Sequence, residues 1–141
     1  MTEPLVSICI PTYNGATYLQ EALDSVIAQT YKNIEVIISD DESVDATLGI
    51  LEGFRESVKI PVYIYHHQPS GIGANWNNTV EKANGVYIKF LFQDDILKAT
   101  CVEKMVRMAL SDPEVVLVYS RRAFIYNPEN SEHLLWMSRY K

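Results

Sequence analysis

The chain has 141 residues, of which 48% are hydrophobic and 21% charged, and its formal net charge is −6. That length fits one domain with one core, and that balance of apolar and charged residues excludes a disordered chain. The acidic surplus excludes a dedicated nucleic-acid binder, which needs clustered Lys and Arg. It leaves any anionic ligand dependent on a cation, on backbone N–H groups or on a few placed basic residues.

Leu5 to Ile10 is a short apolar run closed by Pro11, and predicts a buried strand. Thr17 and Gln20 form a capping-box pattern, after which Leu19, Leu23, Val26 and Ile27 recur on one helical face. Ile34 to Ile38 predicts a second buried strand, ending in the polar cluster Ser39-Asp40-Asp41-Glu42-Ser43. Ser43 is placed to cap a helix carrying Leu48, Leu51 and Phe54. Pro61 to Tyr65 is a third strand candidate, followed by a loop with Pro69, Gly71 and Gly73. A helix over Ala74 to Ala83 is stopped by Asn84 and Gly85, the glycine fitting the left-handed position past a helix end. Val86 to Phe92 predicts a fourth strand, ending at Gln93-Asp94-Asp95. Val102, Met105, Val106 and Ala109 mark a further helix, with Pro113 at its exit. Val115 to Tyr119 reads as a fifth strand and Ala123 to Tyr126 as another candidate, while Asn127 to Lys141 shows no clear pattern.

Continuous apolar strands separated by helices predict a three-layer α/β/α domain with a mostly parallel sheet. No internal repeat or low-complexity linker interrupts it. In such sheets ligands sit beyond the carboxyl ends of the strands. The residues there are Pro11-Thr12-Tyr13-Asn14, Asp40-Asp41, His66-His67 and Gln93-Asp94-Asp95.

Two acidic pairs stand out, Asp40-Asp41 and Asp94-Asp95. Adjacent carboxylates repel, and a hard divalent cation such as Mg²⁺ or Mn²⁺ is the simplest compensation. Solvated turns or helix caps are the structural alternative, since Asp is common in both. Tyr13, in a polar loop, offers an aromatic face to a ring ligand or else is a partly buried loop residue. Ionised Asp41 can accept a hydrogen bond from the imide N–H of uracil or thymine.

Several other sites are disfavoured. Gly71-Ile72-Gly73 lacks the third glycine of a dinucleotide fingerprint, Trp76 standing in its place, and no Walker loop exists. His66 and His67 are neighbours on a strand end, so their side chains point to opposite faces and do not make a joint metal site. Cys9 and Cys101 sit in apolar stretches as reduced thiols, without zinc-ligand spacing. A receiver domain would place an acidic pair after the first strand and a Lys after the fifth, where Pro-Thr-Tyr-Asn and Ser-Arg-Arg stand. The N-terminus has no basic region ahead of its first apolar run, and no apolar run approaches the roughly 20 residues of a membrane span. Together these predict a cytoplasmic protein, with peripheral attachment at the inner face of the membrane as a further option.

Val6-Ser7-Ile8-Cys9-Ile10-Pro11-Thr12-Tyr13-Asn14 resembles the opening strand and loop of family 2 glycosyltransferases. Leu23 to Tyr31, with its Gln29-Thr30-Tyr31 exit, is similar to their first helix. Asn33 to Thr47 resembles their second strand and its Asp-Asp-x-Ser-x-Asp-x-Thr turn, and Ala83 to Leu91 resembles the strand that leads to their metal motif. The likeness covers residues 5 to 120. It implies a Rossmann-like GT-A fold over 1–141, the N-terminal, nucleotide-sugar-binding part of a longer glycosyltransferase. Such an enzyme transfers a sugar from a nucleotide-diphosphate sugar, a UDP-sugar above all, to a hydroxyl of a saccharide or lipid-linked acceptor, as in polysaccharide biosynthesis, with inversion.

The resemblance places Pro11 and Tyr13 in the nucleotide pocket, with Asp41 on the base and Asp94 beside the diphosphate. It places Asp94 and Asp95 in the Asp-x-Asp region that binds Mn²⁺ or Mg²⁺. The catalytic base is expected beyond this chain, and a non-catalytic nucleotide-sugar-binding module is the alternative reading. Two positions depart from the family pattern: Phe92 replaces its first Asp, and Trp76 replaces an arginine.

Overall fold

A computed structural model describes residues 3–125. Its strands are Val6–Thr12 (β1), Ile34–Asp40 (β2), Val62–His66 (β3) and Tyr87–Phe90 (β4). Its helices are Ala16–Ile27 (α1), Thr47–Ser57 (α2), Ile72–Glu81 (α3) and Cys101–Ala109 (α4). The strands form one parallel sheet in the order β3-β2-β1-β4. Successive strands step outward from β1 through β2 to β3, and then β4 returns to the other side of β1. The topological switch point therefore lies between β1 and β4, where open sheets of this kind take their ligands.

The two-residue period of a strand sorts the sheet into two faces. Val6, Ile8 and Ile10 of β1 join Ile34, Val36 and Ile38 of β2 in one apolar cluster with Leu19, Leu23 and Val26 of α1 and Leu51 of α2. Val102 and Val106 of α4 complete it. The intervening residues face α3 and are more polar. The Cys9 thiol donates to Thr79 O at 3.6 Å, and Asn78 Nδ2 donates to Ser39 Oγ at 2.7 Å. Helices thus cover both faces, giving the expected α/β/α layers. Burial pushes the Cys9 thiol up to about 11, so it stays protonated and inert.

Pro11 does not end the first strand, which continues to Thr12. Cys9 O accepts from Leu91 N, so the odd residues of β1 direct their backbone toward β4, whose register with β1 ends at Phe90. The N–H that Pro11 lacks has no strand partner to lose.

The expected caps are also different. α1 begins at Ala16 and α2 at Thr47, and neither carries a side-chain cap at its own N-cap residue. Thr17–Gln20 is therefore not a capping box, and Ser43 is used elsewhere. Gly85 does not take a left-handed conformation. It is required instead by close approach, because a Cβ there would meet Ser7 N at 2.5 Å. Gly85 N donates to Ser7 Oγ at 2.8 Å, and Ser7 Oγ donates to buried Glu35 at 2.6 Å.

The expected fifth strand is absent among the described residues. Val115 to Tyr119 pairs with no strand, and Val116 and Leu117 are 97% and 77% exposed. The segment lies across a cavity of about 320 Å³ from Val86–Lys89, with Val102, Met105 and Val106 also in its lining. Ala123 to Ile125 is likewise not a strand, and Tyr126 with the Asn127–Lys141 tail lies outside the described residues. Among the described residues, no helix is long and apolar enough to cross a membrane.

Candidate functional site

The loops after β1 and β2 are laced together. Asn14, held at φ 45°, accepts from Val44 N through Oδ1 at 2.9 Å and donates its own N–H to Ser43 Oγ at 2.8 Å. Gly15 N donates to Thr47 Oγ1 and Ala16 N to Asp45 Oδ2, so the second loop caps the first helix. Hydrogen bonds from the Thr47 side chain, then its N–H, hold the Asp45 carboxyl below its usual range. A sequence scan for local caps misses this arrangement because the capping groups come from some thirty residues away.

The first acidic pair divides in function. Asp40 is fully buried and accepts from Thr12 Oγ1, Ser43 Oγ and Ser43 N at 2.7–2.8 Å. A buried carboxylate so well supplied with donors is a structural knot that fixes the two loops. Asp41 points elsewhere. Its Oδ1 receives His67 Nδ1 at 3.1 Å and Ser70 N at 3.3 Å, while its N–H donates to Thr12 O at 3.0 Å.

Tyr13 is 56% exposed, leaving its ring available for stacking. Its backbone is clamped by one side chain: Gln93 Oε1 accepts from Tyr13 N at 2.9 Å, and Gln93 Nε2 donates to Tyr13 O at 3.0 Å. This two-bond clamp spans the switch point between β1 and β4, joining the tyrosine loop to the second acidic pair. Pro11, expected in the nucleotide pocket, is buried inside β1 in register with Ser39.

Asp94 is exposed and Asp95 half-exposed, in a turn closed by Asp95 N donating to Phe92 O at 3.0 Å. Asp95 Oδ2 lies 3.9 Å from Arg122 Nη2. Among the described residues, no three His, Cys, Asp or Glu side chains gather tightly enough to hold a metal on their own. Asp94 and Asp95 supply two hard oxygen ligands, and Mg²⁺ characteristically binds through one or two carboxylates plus substrate phosphates. The donor set therefore fits a cation completed by a diphosphate. No contact joins Asp41 to this pair among the described residues; the link runs through Thr12 and Tyr13.

The two departures from the family pattern touch one another. Trp76 and Phe92 have ring centroids 4.7 Å apart, with Phe90 at 5.9 Å from Trp76 and 6.2 Å from Phe92. Phe90, Trp76 and Phe92 thus form an aromatic cluster next to the Gln93-Asp94-Asp95 turn.

Two further residues were not expected from sequence. His67 belongs to Asp41, and no spacing rule pairs residues across adjacent strand ends. Asn75 of α3 donates through Nδ2 to Thr12 O at 3.0 Å, and its buried Oδ1 has no partner among the described residues.

A sequence model of glycosyl transferase family 2 matches residues 7–141. The chain belongs to that family. It is 41% identical over 105 residues to an uncharacterized glycosyltransferase of Rickettsia bellii, covering 74% of this chain and 15% of that protein. It is 38% identical over 117 residues to another from Rickettsia prowazekii, covering 82% of this chain and 36% of the relative. The chain thus spans about a third or less of these relatives. Among solved structures, S. aureus TarS bound to UDP-GlcNAc is similar, at 28% identity and a TM-score of 0.68 over 74% of this chain and 30% of that one. A Pyrobaculum calidifontis mannosyltransferase bound to GDP-Man and Mn²⁺ has a TM-score of 0.74 at 24% identity, over 82% of this chain and 34% of that one, and shares the fold. The GT-A architecture expected from the sequence is the one found.

Proposed function

We propose that this chain is the donor-binding part of a metal-dependent, inverting glycosyltransferase that takes a nucleotide-diphosphate sugar, a UDP-sugar first among them. The observation that carries the reading is the Gln93 clamp, which couples exposed Tyr13 to the Asp94-Asp95 turn across the switch point of the sheet. One ligand with an aromatic base at one end and a diphosphate at the other could engage both the tyrosine ring and the acidic turn. The UDP-GlcNAc complex of TarS supports it by likeness.

In this reading Tyr13 stacks on the base and Asp41 accepts its ring N–H, with Pro11 beneath the loop that carries Tyr13. Asp94 and Asp95 would hold Mn²⁺ or Mg²⁺, and the bound ion would supply the Lewis acidity that stabilises a departing nucleoside diphosphate. The acceptor hydroxyl, on a saccharide or a lipid-linked saccharide, attacks the anomeric carbon from the opposite face as the sugar–phosphate bond breaks. The base that removes its proton lies outside the donor domain, in an enzyme acting in the cytoplasm, with attachment at the inner face of the membrane as a further option. Competition among UDP, dTDP and GDP for the chain, followed by calorimetry, tests the reading. Binding of UDP that is lost in Asp41→Ala supports it, and binding that ignores Asp41 contradicts it.

A further inference from the structure

Asp41 has two carboxylate oxygens, and they are in different situations. Oδ1 receives two donors, His67 Nδ1 and Ser70 N. Oδ2 has no hydrogen-bond partner among the described residues and is not among the side-chain atoms sealed from solvent without one. His67 is itself fixed in place: its N–H donates to Asp40 O at 2.8 Å, extending the pairing of β2 with β3 by one residue. The imidazole reaches Asp41 from a preset backbone, and the Ser70 N–H arrives from the loop before α3.

We infer that His67, with the Ser70 N–H, is the specificity-determining element of the donor site. The pair saturates Oδ1 and leaves Oδ2 as the single acceptor offered to the nucleobase. This rests on the donor reading given above and adds a rule for the base. An ionised carboxylate has about four lone-pair positions, two on each oxygen. Uracil and thymine present one ring N–H flanked by two carbonyls, so one accepting oxygen satisfies them. Guanine presents a ring N–H and an adjacent amino group, a double donor edge that calls for both oxygens side by side. With Oδ1 already occupied, guanine leaves a desolvated donor poorly paired, which is costly. The site therefore takes pyrimidine nucleoside diphosphates with an imide, and discriminates against guanine.

The test compares UDP and GDP affinities, by calorimetry in Mn²⁺, for the wild-type chain and for His67→Ala, His67→Asn and His67→Gln. The Asn amide nitrogen can occupy the position of Nδ1, whereas the Gln amide extends past it. The wild-type chain is expected to prefer UDP by about tenfold or more, the worth of one hydrogen bond to a charged group. His67→Ala and His67→Gln should narrow that ratio, and His67→Asn should restore it. Thermal melting of each variant separates a change in selectivity from a loss of fold. An unchanged ratio in folded His67→Ala, or a wild-type preference for GDP, overturns the inference while leaving the donor site standing. Failure of every nucleotide to bind defeats the donor reading itself, and this inference with it.

Discussion

Asp40 and Asp41 are neighbours in sequence with opposite tasks. Asp40 is consumed by three internal donors, whereas Asp41 has one oxygen without a hydrogen-bond partner among the described residues, the one proposed for the nucleobase. Asp41→Ala is expected to weaken UDP binding by about 10- to 100-fold, the range for a hydrogen bond to a charged group, with thermal melting of the variant checking that it still folds. Glu35 makes a different prediction. Burial pushes its carboxyl up, but hydrogen bonds from Ser7 Oγ and from the Asn84 backbone and side chain outweigh that and hold it below its ordinary value of 4.5. A lowered folded-state pKa adds stability above the unfolded value, and that stability is lost as pH falls through the folded value. Denaturant titrations should show stability declining below about pH 4.5. Glu35→Gln should flatten that acid limb and cost about 1–2 kcal/mol at pH 7. At this scale the sequence was legible where chemistry is local. Tyr13, Asp41, Asp94 and Asp95 stand out as candidates because they follow apolar runs, whereas Gln93, His67 and Asn75 acquire their contacts only when strand ends are brought together.

The elements were legible where periodicity is strong and not where contacts are distant. The buried strands and the four helices follow from apolar spacing, within a few residues at their ends. The caps of α1 do not, because Thr47 and Asp45 reach it from another loop. Gly15 shows how such a joint can be tested. A Cβ there would meet the Gln93 side chain at 2.3 Å. That side chain can swing away, so Gly15→Ala should leave the fold intact and break the Tyr13 clamp, seen as weaker UDP binding at nearly unchanged melting temperature. Gly85→Ala should do the reverse, since its Cβ would strike the Ser7 backbone; about 2–3 kcal/mol of stability is expected to be lost. The Trp76–Phe92 contact makes a third joint. Single changes Trp76→Arg and Phe92→Asp each leave a charge against aromatic rings, while the double variant pairs the charges. A double-mutant cycle should show the pair costing less than the sum of the singles, and strict additivity would contradict the coupling.

At the scale of the whole molecule, the parallel α/β/α plan was written in the alternation of strands and helices, and the family match agrees with it. The fifth strand was not legible correctly, because Val115 to Tyr119 has strand composition but stands across a cavity from the open edge of β4 instead of pairing with it. Val116, Leu117, Tyr119, Phe124 and Ile125 are 67–97% exposed, and exposed apolar surface favours association. The 141-residue chain alone is expected to self-associate in light scattering above its 16.1 kDa mass, and paired Val116→Ser and Leu117→Ser changes should reduce that. A clean monomer would count against it. The proposed donor site joins a base-binding loop to a metal-binding acidic turn. The most direct measurement is a calorimetric titration of the chain with UDP, with and without Mn²⁺, repeated on Asp95→Ala. Binding that Mn²⁺ strengthens in the wild-type chain and not in the variant is expected. UDP affinity indifferent to both Mn²⁺ and Asp95 would contradict it.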